Sequence, residues 1–404
     1  PTPRTNPRQD RVLARPPRPP EDIVTVTDEN LPEVVAELER LWPPETAPEG
    51  LERTYMRPLI FTVQQLALDA DAWPDIAEAV ERCGGKKNEP LVRKLLGHFN
   101  PVTPYHERGD DQKKDFVCWP TFDFKTMCGC PHGCQYCGEG KHGKAITLAV
   151  NLEEFAETVV PEVVADHPFQ KCFRLIGWGA EQAAFEPEYG AFELLNRKLA
   201  SLDRYLYFHS AGDSTDWAMD LPHPDRLIGI YSVTCDKVAR EIEPGSGSFT
   251  ARFDAAGRLN AAGIPTRPKF KPIIPVKGWR EEYTRAVDEL FRRCQPESVG
   301  LCVIMWMSVD TLLEKIDEDV LDPDFLAVAR AAAPKLADVK TGPFPHEVRR
   351  EIYRHFIRAI RRHDKEVPIY ISTESRAMWG DLAEELGQDP CAFFCGCPPV
   401  APPG

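Results

Sequence analysis

From Thr121 onward the chain alternates between two patterns. Short apolar runs rich in β-branched and aromatic residues stand at Phe122–Met127, Phe173–Trp178, Tyr205–His209, Leu227–Val233, Thr266–Ile274, Val299–Met305 and Ile369–Ser372. Between them, Leu152–Asp166, Tyr189–Leu202, Ser248–Ala262, Trp279–Cys294 and Glu347–Asp364 place apolar residues every third or fourth position. The first pattern has the character of strands and the second that of helices. Parallel neighbours need a crossover long enough to hold a helix, so the alternation predicts an α/β fold, a parallel sheet covered by helices, over residues 119–375. Ser246 or Ser248 reads as the N-cap of the helix that follows it.

The flanking segments read differently. Residues 1–20 are rich in Pro and Arg and lack the apolar middle of a signal peptide, so a disordered leader is expected there. Residues 21–118 read as a helical N-terminal region, with helices at Leu31–Leu41, Leu59–Leu68, Ala72–Cys83 and Glu89–His98. Residues 376–404 read as a last helix, Arg376–Leu386, and a Cys-rich tail. No apolar run reaches the length of a membrane span. The thirteen cysteines are odd in number and clustered, which suits a reducing, cytoplasmic setting and a metal better than a disulfide framework. The net charge of −14 repels phosphate backbones, so nucleic acid is a poor default partner.

The chemistry-bearing stretch is Cys130-Pro131-His132-Gly133-Cys134-Gln135-Tyr136-Cys137. Three thiols this close can wrap one metal centre and cannot easily pair into separate disulfides. One reading is a structural zinc loop with Cys128 as fourth ligand, although zinc sites favour paired Cys knuckles far apart in sequence. The other is an iron–sulfur cluster with one iron left open. A second cysteine group, Cys391, Cys395 and Cys397, invites a second metal site completed by Cys128 or Cys118; packing by Phe393 and Phe394 is the plainer alternative. Arg267, Lys269 and Lys271 alternate along one strand and so share a face. They are a candidate lining for a carboxylate or phosphate substrate, or else rim residues facing helices or solvent.

With its spacing of three and then two residues and the aromatic Tyr136 before the last cysteine, the loop resembles that of the radical SAM superfamily. Within it the chain looks most like spore photoproduct lyase and its relatives, through Cys130–Cys137, Val150–Phe155, Ile242–Ser248 and Pro275–Tyr283. The resemblance implies a partial (β/α)6 TIM-type barrel with its active site at the mouth. It implies a [4Fe–4S] cluster on Cys130, Cys134 and Cys137, whose open iron takes the amino and carboxylate groups of S-adenosylmethionine. Gly177, Gly179 and Glu181 would meet the SAM amino group, and Ser210, Ser232 and Tyr136 the rest of the cofactor. An electron donor such as flavodoxin or ferredoxin follows, as does hydrogen-atom abstraction from a substrate.

The resemblance also has gaps. The lyase returns a hydrogen atom from a cysteine near the end of the second strand, whereas here Gly177-Trp178-Gly179-Ala180 has no thiol and Cys172 lies at the strand's beginning. Gly138 stands where the family tends to have an aromatic residue. A thiol of the tail folded over the mouth could replace the missing donor. The expected substrate is therefore a small polar metabolite (sugar, nucleoside or sugar acid) of a biosynthetic pathway, changed by epimerisation, decarboxylation, elimination or dehydrogenation. The alternatives are a DNA photoproduct lyase-type repair enzyme and a zinc-stabilised interaction protein with no activity.

Overall fold

The structure is a computed structural model that describes residues 7–14, 24, 26–41, 60–64, 68, 75–98, 100–106, 115–137, 145–176, 180–336 and 340–398. Its strands are β1 (Ile60–Gln64), β2 (Val102–His106), β3 (Thr121–Phe124), β4 (Met127–Cys128), β5 (Ala145–Ala149), β6 (Cys172–Leu175), β7 (Tyr205–Ser210), β8 (Leu227–Val233), β9 (Lys269–Ile273), β10 (Val299–Val303) and β11 (Ile369–Ile371). Eight of them form one sheet in the order β11-β10-β9-β8-β7-β6-β3-β2. Seven run parallel, and only β2 pairs antiparallel, with β3. The order is sequential because each strand returns through a helix on the outer face, as the alternation requires.

The crossover helices include Leu152–Asp166, Ala191–Ser201, Phe249–Ala261, Trp279–Arg293 and His346–His363. Their apolar stripes pack on the strands in one large core running from Phe124 to Trp379. Ser248 caps its helix, its hydroxyl accepting from the Ala251 N–H; Ser308 and Ser375 cap Val309–Lys315 and Arg376–Leu386 in the same way. The inner face of the sheet curls on itself: Thr121 of β3 and Tyr370 of the edge strand β11 line one cavity. No helix among the described residues is long and apolar enough to cross a membrane.

The sequence expectations need five corrections. Leu59–Leu68 is no helix where it is described: Ile60–Gln64 is a strand parallel to β5, since the run Ile60-Phe61-Thr62-Val63 suits a pleated surface and finds a partner. Phe122–Met127 is not one strand: β3 ends at Phe124, and β4 leaves to pair antiparallel with β5 in a small sheet ordered β1-β5-β4. The boundary at 118–119 falls inside the main sheet, because β2 lies in the supposedly helical region. Pro7–Ala14 of the supposed disordered leader is a helix; its Val12 is buried in the main core, and Arg8 bonds the Tyr189 carbonyl and Glu153. The resemblance implied six units, whereas the sheet has seven parallel strands, one for each apolar run, and Val309–Lys315 and Pro323–Leu336 are helices that periodicity did not single out. Leu31–Leu41, Ala77–Arg82 and Glu89–Leu95 do form helices, around their own small core.

Candidate active site

β4 delivers the chain into the three-cysteine loop, and β5 takes it away after residues 138–144. Gly133, at φ 69°, makes the turn that a side chain would strain. The loop is fastened to the segment after β8: the Gln135 N–H donates to the Ile242 carbonyl at 3.0 Å, and its Nε2 to the Glu241 carbonyl at 2.8 Å. Lys315 Nζ donates to the Cys137 carbonyl at 2.8 Å. The Tyr136 hydroxyl donates to Glu243 Oε1 at 2.7 Å, so Tyr136 positions the loop here. Glu243 is fully buried and paired with Arg252 at 2.6 Å. Arg252 also bonds Ser246, the Gly247 carbonyl and the Ser232 carbonyl. A buried, hydrogen-bonded ion pair of this kind fixes geometry.

Cys130, Cys134 and Cys137 are all half-exposed. Burial raises the Cys134 thiol well above its ordinary range, and Glu243, Cys130 and Cys137 add to the rise, so the three sulfurs feel one another. A bound cation reverses that repulsion by taking the thiols as thiolates. Among the described residues no His, Cys, Asp and Glu side chains converge on a single metal point. A four-iron cluster puts its cysteines on separate irons and does not need such convergence.

Beside the loop lies a cavity of about 240 Å³ lined by His132, Ser210, Gly212, Ser246 and the backbone of Gly245 and Gly247. Gly245 lies against the loop: a Cβ there would stand 2.1 Å from the His132 carbonyl oxygen. Next to it is Glu181, only 5% exposed. Its Oε2 accepts from the Ala211 N–H at 2.8 Å and lies 3.8 Å from His132 Nδ1. Its Oε1 is buried without a hydrogen-bond partner among the described residues. Burial pushes the carboxyl up to about 7, with the Ala211 N–H, Ser210 and Arg252 pulling the other way. Ser210 thus reaches this cavity. Ser232, next to the end of β8, lies opposite Lys269 and accepts from Arg252 through its carbonyl. Gly177 and Gly179 lie outside the described residues.

The tail cysteines separate. Cys391 is exposed, while Cys395 and Cys397 line a second cavity on the inner face of the sheet with Cys118. Cys397 packs with Cys172 and Tyr205 at the starts of β6 and β7, and Arg267, just ahead of β9, bonds the carbonyls of Gly396 and Pro398, so the tail enters from the end of the sheet opposite the three-cysteine loop. The idea of a tail folded over the mouth is corrected accordingly. Arg267 is also not a substrate group: fully buried, it bonds Glu297 at 2.6 Å and the Gly396 carbonyl at 2.8 Å, bonds the Pro398 carbonyl too, and lies 4.9 Å from the Phe394 ring. Lys269 and Lys271 share a face, as their alternation implied, and that face lines the second cavity. The sequence reading passed over Glu243, Arg252, His132, Arg174 and His209. A charged residue inside an apolar strand, such as Arg174, was the available signal; the others carry none.

The family description of spore photoproduct lyase matches residues 197–303. A curated spore photoproduct lyase of a Geobacillus species is 30% identical over 90 residues, 22% of this chain and 26% of the relative. The chain therefore spans about a quarter of that relative's length. Among solved structures, a spore photoproduct lyase variant with bound AdoMet and dinucleoside spore photoproduct aligns with a TM-score of 0.51 at 17% identity, over 62% of this chain and 76% of the other. Spore photoproduct lyase complexed with the dinucleoside photoproduct aligns with the same score and identity, over 61% and 75%. At such identity the likeness concerns the fold. The sequence match spans β7 to β10 and the Glu243–Arg252 anchor, and the fold match extends well beyond it, so the chain resembles spore photoproduct lyase and, through it, the radical SAM superfamily.

Proposed function

We propose that the chain is a radical SAM enzyme. The observation that carries this is the bare, buried Oε1 of Glu181 beside the three-cysteine loop. An unpartnered carboxylate oxygen that deep is costly unless a cation arrives to use it. The SAM ammonium is such a cation, and the polar groups around the adjoining cavity suit the rest of a polar cofactor. The donor set fits as well, since Cys130, Cys134 and Cys137 of one loop can supply three thiolates, as a [4Fe–4S] cluster with an open iron needs. When bound, the cluster and SAM supply the radical that takes a hydrogen atom from a substrate. The protein's own part is to hold the loop through Tyr136, Glu243 and Arg252, to seat the ammonium on Glu181, and to keep the curled sheet, read here as a partial barrel, closed to water. Flavodoxin or ferredoxin is the fitting electron source.

For the substrate, the narrow inner cavity favours a small polar molecule. A second reading, reversal of a dinucleoside lesion, is favoured by the ligand bound in the fold relatives. Anaerobic reconstitution followed by reduction with SAM tests the proposal: about four irons per chain and 5'-deoxyadenosine should appear. Both should vanish when the three cysteines become Ala, and a zinc-bearing protein that leaves SAM intact would refute it. Adding dinucleoside spore photoproduct to the same assay separates the readings, because only the second expects repaired thymidines.

A further inference from the structure

Behind the mouth, the inner face of the sheet carries two lysines with no carboxylate partner among the described residues. Lys269 is only 7% exposed, and its Nζ donates to Ser372 Oγ at 2.6 Å. Lys271, two residues along the strand, stands 5.0 Å from the Trp306 ring. Neither ammonium has a carboxylate within ion-pair distance among the described residues. Arg174 lines the same cavity but is satisfied by Asp123 through bonds of 2.7 and 2.6 Å. No Asp or Glu is among the described lining side chains. Among the described lining residues the counter-charge is the sulfur of Cys397, whose thiol is held down to about 6 by a hydrogen bond from Cys395 and by Lys269 and Arg174. Two ammoniums against one thiolate leave the cavity positive. Burial and the like charge of Lys271 already press Lys269 toward losing its proton. His209 adds an Nε2 that is buried and without a partner among the described residues.

Confining unpaired positive charge costs several kcal/mol per ion unless an anion accompanies it. We infer that this cavity holds an oxyanion, the carboxylate or phosphate group of the substrate, between Lys269 and Lys271 with His209 as a third contact. The open space of about 30 Å³ is that of roughly two water molecules, the scale of such a group. His209 faces this cavity from β7, while the next residue, Ser210, points to the opposite face and lines the cavity beside the three-cysteine loop. The inference rests on the radical SAM reading for calling the anion's carrier a substrate; the binding of an anion does not depend on it.

The test uses the full chain as purified. Sodium acetate and sodium phosphate are titrated at constant ionic strength, with acetamide as the neutral isostere, and binding is followed by calorimetry and by the shift in melting temperature. At least one anion should bind saturably and raise the melting temperature, while acetamide does neither. Lys269→Met should weaken that binding at least tenfold and Lys271→Gln severalfold, with the exposed Lys365→Gln unchanged. Should Lys269→Met fail to fold by circular dichroism, the half-buried Lys271→Gln decides alone. Acetate-only or phosphate-only binding identifies the head group. No saturable binding of either anion, or equal binding by wild type and both cavity variants, overturns the inference. SAM cleavage measured on the reconstituted enzyme keeps the two proposals apart: anion binding without cleavage sinks only the enzyme reading, and cleavage without anion binding sinks only this one.

Discussion

Glu181 shows how much one side chain can settle. Its carboxyl is raised to about 7 from an ordinary 4.5, so between those values the folded chain keeps a proton that the unfolded chain has lost. The stability this contributes is present below about pH 4.5 and is lost as pH rises through 7, a change of about 3 kcal/mol. Thermal melts of the cofactor-free protein from pH 4.5 to 8 should show that decline, and Glu181→Gln should flatten it. The same variant keeps an oxygen for the Ala211 N–H but loses the charge, so SAM binding should weaken by about 1.5–3 kcal/mol by calorimetry. Gly245 is the steric counterpart. A methyl group there would press the His132 carbonyl out of place, so Gly245→Ala should cost about 1–3 kcal/mol and lower the iron taken up on reconstitution. Cys397, unlike its neighbour Cys395, should be a thiolate at neutral pH. Mass spectrometry after iodoacetamide treatment should find Cys397 alkylated at pH 7, with a rate that falls through about pH 6, while Cys395 and Cys118 react slowly.

At the scale of elements, the tail is held by few but strong contacts. Arg267 reaches out of β9's leading end to two carbonyls of the tail, and Phe393 packs against Trp119 and Trp379. Deleting residues 390–404 would leave the buried guanidinium with Glu297 alone and open the cavity floor. A loss of about 3–5 kcal/mol is expected in denaturant unfolding, partly restored by adding Arg267→Met. Iron content should stay at one cluster's worth, whereas a second cluster on the tail would make it fall. The elements also show where periodicity misleads. Ile60–Gln64 carries apolar residues at a spacing compatible with either structure, and its partner β5 lies far along the chain, so the choice of strand was made by pairing. The break between β3 and β4 has the same origin: local pattern does not say which of two sheets a residue joins.

Among the described residues the apolar side chains form one large core, a smaller N-terminal core and a minor cluster under the tail. Leu31, Leu91 and their neighbours form a cluster separate from the one that spans the sheet. Leu91→Ala, at a fully buried site, should cost about 2–5 kcal/mol in the unfolding of the N-terminal part while leaving SAM cleavage by the reconstituted enzyme unchanged. Equal loss of cleavage and stability would show the cores to be coupled. The sequence by itself determined the order of parallel strands and helices, because each element's period is written in its own ten or fifteen residues. It also determined the three-thiol loop, whose members are neighbours along the chain. Only the tertiary structure decided that Glu181 is buried with one oxygen bare, that Tyr136 is held by the Glu243–Arg252 pair, that Arg267 serves the tail, and that Lys269, Lys271 and His209 share a cavity. The physical reason is that burial, desolvation and pairing belong to groups brought together from distant strands. Their free energy depends on distances that the folded sheet sets and that no local pattern encodes.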